Sequence, residues 1–225
     1  MSGRTFVVIP SYNEGTALKD VVASVLACGY DVVVVDDGSA VPAARQLDGL
    51  KCHCLRHALN LGQGAALQTG MALAKRHGAD AVVNFDADGQ HDVADIPRFL
   101  TELEKGADVV LGSRFIRAED EAAVPAGRRM MLRLARVING LFTGLWLTDA
   151  HNGFRALNRK ALEVIDLREN RMAHATEILS QIRRHGLAYK EIPVTVRYTD
   201  YSRAKGQRWM NSLDILLDLL LDKLM

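Results

Sequence analysis

The first half of the chain alternates between short apolar runs and amphipathic segments of about a dozen residues. The apolar runs are rich in β-branched residues, which favour strands, and the segments between them repeat apolar positions with helical spacing. Strands are predicted over residues 5–10, 31–39, 51–57, 79–88 and 107–115. Helices are predicted over residues 17–29, 62–78 and 93–106. Alternation of this kind predicts an α/β fold in which helices flank a mostly parallel sheet.

The regular alternation ends beyond residue 115. Residues 125–146 and 177–186 predict helices, and residues 188–198 predict a strand-like segment. Because no repeat or linker divides the chain, we expect residues 1–206 to form one domain.

Polar clusters lie at the ends of four of the predicted strands. They read PSYNE, DDGS, DADGQHD and GSR. Because parallel strands all end on the same side of a sheet, we expect these clusters to meet there, at what we call the carboxyl end of the sheet. The functional site is therefore predicted at the carboxyl end.

Composition excludes some classes of function. The 225-residue chain has a formal net charge of +1, which argues against general nucleic-acid binding. Its three cysteines have neither a disulfide framework nor zinc-binding spacing, so we expect a reducing, cytoplasmic setting. No apolar run approaches the roughly 18–20 residues that cross a bilayer, so we expect no membrane span.

The stretch NFDADGQHD, residues 84–92, has two interpretations. It is typical of a polar loop with helix-capping aspartates. Alternatively, a tight turn could bring Asp86 and Asp88 onto one cation, with the Gln90 amide oxygen nearby. Hard ions such as Mg²⁺ and Mn²⁺ prefer these oxygen ligands and keep positions open for phosphates. The strand-end position favours a metal site formed by Asp86, Asp88 and Gln90, with His91 supporting the site rather than binding the ion.

Two other loops also have alternative interpretations. The DDGS cluster is typical of a turn followed by a helix cap, but its adjacent Asp36 and Asp37 leave a carboxylate that a nucleotide could contact. NLGQGAAL, residues 60–67, is similar to a phosphate-binding loop at a helix start, yet it lacks the Walker A lysine. Close packing of the helix against the sheet is the alternative explanation for its glycines.

Six segments together carry a family resemblance. In order they read VVIPSYNE, VVVVDDGS, NLGQGAAL, DADGQH, VLGSRF and DAHNGFRAL. Each alone is a weak signal, but the ordered set resembles the GT-A-fold family 2 glycosyltransferases over roughly residues 5–205. Within that family it is most similar to the dolichyl- and polyprenyl-phosphate mannosyl- and glucosyltransferases. The resemblance implies a GT-A, Rossmann-like fold, a nucleotide-sugar donor linked to UDP or GDP, and Mg²⁺ or Mn²⁺ as cofactor.

The resemblance also implies roles for individual residues. Those implied to contact the nucleotide are Pro10, Tyr12, Glu14, Val35 and Asp37. Those implied to hold the donor diphosphate and the metal are Asp86, Ala87, Asp88 and Gln90. Those implied to contact phosphate are Arg114, Arg197 and Arg203. Asp149 is implied at the acceptor side. The expected catalytic residues are Asp88, Arg114 and Asp149.

The chain departs from the family pattern at two places. Asn152 stands before GFR, where the family often has serine. The pair Arg197 and Arg203 lies in RYTDYSRAKGQR rather than before the usual glycine-rich Ser-Lys sequence. Lys205 could therefore replace Arg203 as the phosphate contact.

The arginines of residues 114–136 bear on the acceptor. This segment has arginine at positions 114, 117, 128, 129, 133 and 136, against acidic residues at 119, 120 and 121. Arginine suits phosphate because it forms bidentate hydrogen bonds, and a polyprenyl phosphate is already an anion that needs little deprotonation. The alternative is a solvated helix face. The pattern favours a lipid-phosphate acceptor and leaves open whether Asp149 is a base or orients an arginine or the sugar.

The last residues, 207–225, predict an amphipathic helix. Asp214, Asp218 and Asp222 form an acidic stripe on an otherwise apolar surface, which argues against direct binding to an anionic membrane. We expect this helix to contact a second copy or a small membrane protein; packing on its own domain is the alternative.

Three functions are weighed. The first is an inverting transfer of a hexose from a nucleotide-sugar to a polyprenyl or dolichyl phosphate at the cytoplasmic membrane face, since no residue suggests a second nucleophile. The others are a family 2 transferase acting on a glycan hydroxyl and a non-catalytic nucleotide-binding subunit.

Overall fold

The computed structural model describes residues 3–124, 126–171 and 173–196. Four predictions lie outside these ranges and stay predictions: the roles of Arg197, Arg203 and Lys205, and the helix over 207–225. Among the described helices, none combines the length and apolar character that a bilayer span requires.

One seven-stranded sheet forms the centre of the described part of the chain. Its strands are β1 (Thr5–Ser11), β2 (Asp31–Asp36), β3 (His53–Arg56), β4 (Ala81–Asn84), β5 (Val109–Ser113), β6 (Arg155–Asn158) and β7 (Tyr189–Pro193). Their order is β3-β2-β1-β4-β6-β5-β7. Every pairing is parallel except those of β6, which runs antiparallel to both β4 and β5.

Helices lie on both faces of this sheet. They are α1 (Ala17–Ala27), α2 (Ala43–Gln46), α3 (Gln63–Arg76), α4 (Ile96–Glu104), α5 (Ala118–Ala123), α6 (Ala126–Thr143), α7 (Arg159–Val164) and α8 (His174–Arg184). A 3₁₀ turn, Val93–Asp95, leads into α4.

The sheet separates two apolar clusters because successive side chains of a strand point to opposite faces. In β1, Phe6 and Val8 join the cluster that includes α3, α7 and α8. Val7 and Ile9 join the cluster that includes α1 and α4. Strands covered on both faces read as continuous apolar runs, which explains the valine-rich segments of the sequence.

The predicted α/β class and mostly parallel sheet are confirmed, but the sequence did not predict β6 or the short helices α2, α5 and α7. Four residues that include Arg155 and Asn158 carry too little apolar periodicity to indicate a strand. The fourth strand is also shorter than predicted, since it ends at Asn84 and leaves Asp86 and Asp88 in the following turn.

The direction of β6 determines what meets at the carboxyl end. Because β6 is antiparallel to its neighbours, it begins where β4 and β5 end. The segment just before it, residues 148–153, is therefore brought to the polar clusters that follow β4 and β5.

Helix α3 packs directly on β1 at Gly70. A Cβ atom at Gly70 would lie 2.3 Å from Cγ1 of Val8, which is fully buried. We expect Gly70→Ala to lower the free energy of unfolding by about 1–3 kcal/mol, because the buried strand leaves little room to relax. Urea denaturation measures this change.

Gly127→Ala is the matched control, since Gly127 is also helical but a Cβ atom there would meet no atom of the described residues within 4 Å. Its stability should stay the same or rise by up to about 1 kcal/mol. Equal destabilisation by both substitutions would contradict close packing at Gly70.

Candidate active site

The loops after β1 and β2 are joined by reciprocal hydrogen bonds at the carboxyl end. The backbone amide of Asn13 donates to Ser39 Oγ at 3.0 Å, and that of Ala40 donates to Asn13 Oδ1 at 2.9 Å. Asn13 adopts a left-handed conformation, with φ of 55°. These contacts fix the chain on one side of the candidate site.

Asp86 lies just beyond β4 and is held in place by two side chains. Gln63 Nε2 donates a hydrogen bond to Asp86 Oδ1 at 3.1 Å, and His91 Nε2 lies 3.2 Å from Oδ2. A Cβ atom at Gly153 would lie 2.7 Å from Oδ2, so the glycine makes room for the carboxylate. Burial alone would raise the pKa of Asp86, but the hydrogen bond and charge of His91, with the charge of Arg155, hold this pKa below its usual value.

Asp88 lies close enough to Asp86 for their charges to interact. Gly89, between Asp88 and Gln90, has a φ of 73°, and in this turn the Gln90 amide donates to Asp88 Oδ1 at 3.0 Å. Burial and then the charge of Asp86 raise the pKa of Asp88, and Glu14 adds to the effect. Asp88 Oδ2 accepts no hydrogen bond from the described residues. Two carboxylates that repel each other in this way form a site that a cation would stabilise.

The donors at this point fit a divalent cation. Asp86 and Asp88 supply oxygen ligands, and ionised carboxylates keep lone pairs beyond the hydrogen bonds they already accept. In the described ranges, no cluster of three or more His, Cys, Asp or Glu side chains could hold an ion by itself. Mg²⁺ is commonly held by one or two carboxylates with substrate phosphates and water. The pair therefore suits an ion shared with a phosphate ligand, and the role of the Gln90 amide stays a prediction.

The buried guanidinium of Arg155 lies near two carboxylates, those of Asp86 and Asp149. Arg155 is buried, and it donates to the carbonyl oxygens of Asn152 at 3.0 Å and Ala150 at 3.3 Å. Burial lowers its pKa to about 10, while the charges of Asp149 and Asp86 oppose that shift. Arg155 thus supplies positive charge that balances both carboxylates from within the protein.

Two histidines close to this arginine are kept neutral. Burial is the main reason that the pKa values of His151 and His174 fall to about 4, and the charge of Arg155 lowers both further. At neutral pH neither ring adds positive charge to the site.

Arg114 and Asp149 form a buried bidentate ion pair. Arg114 Nε donates to Asp149 Oδ2 at 2.6 Å and its Nη2 donates to Oδ1 at 2.7 Å, while the Arg114 amide donates to Oδ2 at 3.2 Å. Burial raises the pKa of Asp149, but the charge and hydrogen bonds of Arg114 outweigh it and lower this pKa overall. Both oxygens of Asp149 therefore accept hydrogen bonds from Arg114, and the catalytic role of Asp149 stays a prediction.

The segment carrying Asp149 is itself anchored by Glu191 of β7. The amides of Thr148 and Asp149 donate to Glu191 Oε1 at 2.9 and 3.1 Å, and the Thr148 hydroxyl donates at 2.8 Å. The edge strand β7 thus fixes the position of the ion pair.

Asp36 and Asp37 hold two different loops. Asp36 accepts a hydrogen bond from the amide of Ser39, which precedes α2, at 2.8 Å. It accepts a second from the amide of Ala43, the first residue of α2, at 2.9 Å. Asp37 accepts from two amides ahead of α3, at Leu61 (2.9 Å) and Gly62 (2.7 Å). This division explains why adjacent aspartates occur in DDGS, and the contact of Asp37 with a nucleotide stays a prediction.

The other residues implied for the nucleotide differ in exposure. Tyr12 is exposed and Glu14 is buried, both in the loop that follows β1. The side chains of Pro10, Val35 and Ala87 are buried, so we expect any contact with a ligand to come from their backbone atoms.

The glycines at the start of α3 permit close packing, against a loop rather than against the sheet. A Cβ atom at Gly62 would lie 2.3 Å from the Asn170 carbonyl oxygen, and one at Gly64 would lie 2.0 Å from that of Glu169. The Asn170 carbonyl also accepts a hydrogen bond from the Ala65 amide at 3.2 Å. The packing interpretation of NLGQGAAL is therefore supported, but its glycines pack against residues 169–170 rather than against the sheet.

Sequence reasoning missed four residues of the site: Gln63, Gly153, Arg155 and Glu191. Arg155 carried a detectable signal, since a charged residue inside the short apolar run FRAL needs a buried partner. The other three act through contacts between segments far apart in sequence, which no local pattern reveals.

We expect Asp149→Asn to lower the free energy of unfolding at pH 7 by about 3–5 kcal/mol, because it removes the carboxylate that pairs with the buried Arg114 charge. The pKa of Asp149 is lowered in the folded state, so its contribution is complete above the usual pKa of about 3.9 and is lost as pH falls through the lower folded value. The difference in the free energy of unfolding between wild type and variant should therefore become smaller below about pH 4.

The control is Glu163→Gln, which breaks the exposed ion pair with Lys75 and should cost about 0.5 kcal/mol or less. Urea unfolding of the three proteins at several pH values measures both effects. A loss at Asp149 no larger than that at Glu163 would contradict a buried, charge-compensating pair.

Comparison with known proteins identifies the family. Residues 6–166 match the family described as Glycosyl transferase family 2. Among the similar curated proteins is a UDP-N-acetylglucosamine–dolichyl-phosphate N-acetylglucosaminyltransferase of Methanococcus voltae, which is 30% identical over 97% of this chain and 96% of its own length. Another is a polyprenol monophosphomannose synthase of Mycolicibacterium smegmatis, 30% identical over 85% of this chain and 77% of its own.

Solved structures agree on the fold. A glucosyl-3-phosphoglycerate synthase from Mycobacterium tuberculosis, crystallised with Mn²⁺, UDP and phosphoglyceric acid, superposes with a TM-score of 0.66 at 16% identity, covering 91% of this chain and 74% of its own. That likeness supports the predicted GT-A arrangement of the sheet. The family match covers well over half of the sequence, and its residues include Asp86, Asp88, Arg114 and Asp149. The chain belongs to glycosyl transferase family 2.

Proposed function

We propose that this chain transfers a hexose from a UDP- or GDP-linked sugar to a polyprenyl or dolichyl phosphate, with inversion at the anomeric carbon. The observation that carries the choice of acceptor is the buried Arg114–Asp149 pair. A sugar hydroxyl is a poor nucleophile and needs a general base, but Asp149 has both oxygens bound to Arg114 and a lowered pKa. A lipid phosphate is already an anion and does not need that base.

The names of similar proteins support the same acceptor class. The relatives from M. voltae and M. smegmatis are named for dolichyl phosphate and polyprenol monophosphomannose. That this chain uses the same class of acceptor is our inference.

On the donor side, the chain's own residues would hold the diphosphate. Asp86 is kept ionised and oriented by Gln63 and His91, and Asp88 presents an oxygen that no described residue occupies. Asp86 and Asp88 would hold Mg²⁺ or Mn²⁺. When bound, such an ion neutralises negative charge that develops on the leaving nucleoside diphosphate.

The chemical step is a single displacement. An oxygen of the acceptor phosphate forms a bond to the anomeric carbon while the bond from that carbon to the diphosphate oxygen breaks. The leaving nucleoside diphosphate takes the bonding electron pair, so no proton needs to be removed from the nucleophile. An α-linked donor would give a β-linked lipid phosphate sugar.

The direct test offers labelled UDP- and GDP-sugars with Mn²⁺ to the purified chain and two acceptors of the same chain length, a polyprenyl phosphate and the uncharged polyprenol. We expect a lipid-linked product with the phosphate only. Transfer to polyprenol or soluble sugars would favour a hydroxyl acceptor, and nucleotide binding without product would favour a non-catalytic subunit.

We expect Asp88→Asn to lower kcat/KM for transfer by about 10²–10³-fold, because it removes the ligand oxygen that the described residues leave open. Asp92→Asn is the matched control in the same loop. Asp92 accepts a hydrogen bond from the Ala94 amide at the start of the 3₁₀ turn, a role that asparagine also fills. Similar losses in both variants would argue against a metal-binding role for Asp88.

A further inference from the structure

The carboxylate of Asp37 is surrounded by three hydrogen-bond donors of the protein. Asp37 directly follows β2 and is 3% exposed. The backbone amide of Leu61 donates to Oδ1 at 2.9 Å, and that of Gly62 donates to Oδ2 at 2.7 Å. The ring of His57 makes the third contact, with Nδ1 2.7 Å from Oδ1. Because an ionised carboxylate can only accept hydrogen bonds, His57 Nδ1 is the donor.

The ring of His57 is held at both of its nitrogens. Nε2 lies 3.0 Å from the hydroxyl oxygen of Thr69, which belongs to α3. The backbone amide of His57 donates to the carbonyl oxygen of Asp36 at 2.8 Å, and the side chain is 12% exposed. A buried ring with partners on two elements has little freedom to turn, so its contact with Asp37 is a fixed part of the structure.

These contacts leave little acceptor capacity on Asp37. An ionised carboxylate offers about four acceptor positions, two on each oxygen. His57 and Leu61 occupy both positions of Oδ1, and Gly62 occupies one of Oδ2. Of the positions that the described residues could fill, one on Oδ2 stays open. A ligand that meets Asp37 can therefore donate one hydrogen bond to it.

The backbone beside Asp37 has no room to rearrange. Gly38 has a φ of 76°, and a Cβ atom there would lie 2.7 Å from the carbonyl carbon of Leu59 and 2.8 Å from the nitrogen of Asn60. The loop after β2 thus lies directly on the loop after β3. This packing keeps the Asp37 carboxylate against the amides that donate to it.

Nucleotide bases differ in the number of donors that they offer to a carboxylate. Uracil and thymine present a single imide N–H between two carbonyl groups. Guanine presents N1–H and the neighbouring amino group, a pair that fits the two oxygens of a carboxylate. Asp37 could accept one of this pair and would leave the other unpaired, which is costly in a buried site. Cytosine has no N–H at the position of the uracil imide.

We propose that His57 is a positioning residue that sets base specificity. By filling Oδ1 of Asp37, it restricts the donor nucleotide to a base with one imide N–H, the chemistry of uridine and thymidine, and disfavours guanosine. The inference rests on the proposed function, which allows both UDP and GDP, and on the predicted contact of Asp37 with the nucleotide. His57 acts through Asp37 and does not itself touch the base.

The test is isothermal titration calorimetry of the full chain with UDP, dTDP, CDP and GDP, each in the presence of Mn²⁺. The diphosphate is common to all four ligands, so its contribution cancels in ratios of Kd. We expect UDP to bind about tenfold or more tightly than GDP and CDP, since each of these mismatches a buried polar group. CDP controls for the size of the ring. Tight binding of dTDP beside UDP would also support the proposal, because both bases carry one imide donor.

Variants of His57 test its part in this preference. We expect His57→Ala to lower the ratio of the GDP Kd to the UDP Kd about fivefold or more, because an acceptor position on Oδ1 becomes free. His57→Asn should keep the wild-type ratio, since its amide can donate from about the position of Nδ1. His185→Ala, which removes an exposed histidine at the end of α8, is the matched control and should change neither Kd.

A second variant covers the case in which His57→Ala fails to fold, which circular dichroism would show. Thr69→Val removes the hydroxyl that holds Nε2 while keeping the shape of the side chain. It frees the ring to turn away from Asp37, so it should also lower the ratio of the two Kd values.

GDP binding as tight as UDP binding in the wild type would overturn the proposal. So would an unchanged ratio in His57→Ala with both ligands weakened equally, which is the result expected of a merely structural histidine. UDP preference without sugar transfer would support the proposal and count against the proposed function alone. Transfer to polyprenyl phosphate by a chain that prefers GDP would do the reverse.

Discussion

The repulsion between Asp86 and Asp88 is the constraint on which the candidate site depends. Two acidic side chains stand just beyond the end of a buried strand, and the pKa of Asp88 is raised, first by burial and then by the charge of Asp86. The fold does not relieve this repulsion by separating them. It holds Asp86 with Gln63 and His91 and turns the chain at Gly89, so that the two carboxylates stay together. We propose that a divalent cation shared with the donor diphosphate offsets this repulsion.

The rest of the site distributes positive charge around that centre. Arg155 lies buried near Asp86 and Asp149, and Arg114 is paired with Asp149, so both carboxylates are compensated within the protein. The antiparallel strand β6 makes this possible, because it delivers residues 148–153 to the end of β4 and β5. The same segment follows α6, whose outer face exposes Met130, Leu134 and Leu141. Sheet topology thus relates the donor side, the arginine side and the exposed helix to one another.

Much of this could be read from the sequence, and the limits have physical causes. Valine-rich runs predicted the central strands because both faces of the sheet are buried, and strand-end position singled out Asp86 and Asp88. β6 was not predicted because its four residues include Arg155 and show no apolar periodicity. Gln63 and Glu191 were not predicted as site residues because they reach the site from segments distant in sequence. For Asp36 and Asp37, the sequence suggested a nucleotide contact, which stays a prediction for Asp37; the structure adds that each carboxylate holds a different loop. Helix α6 was predicted, but which of its side chains are exposed depends on tertiary packing.

The most direct measurement of the central claim is the thermal stability of wild type and Asp88→Asn in chelator, and in Mn²⁺ with UDP. If the two carboxylates repel each other and share a cation, the variant in chelator should melt at or above the wild-type temperature, because one of the repelling charges is gone. Mn²⁺ with UDP should then raise the melting temperature of the wild type by several degrees and that of the variant far less. An equal rise in both proteins, or none in the wild type, would contradict a metal site at Asp86 and Asp88.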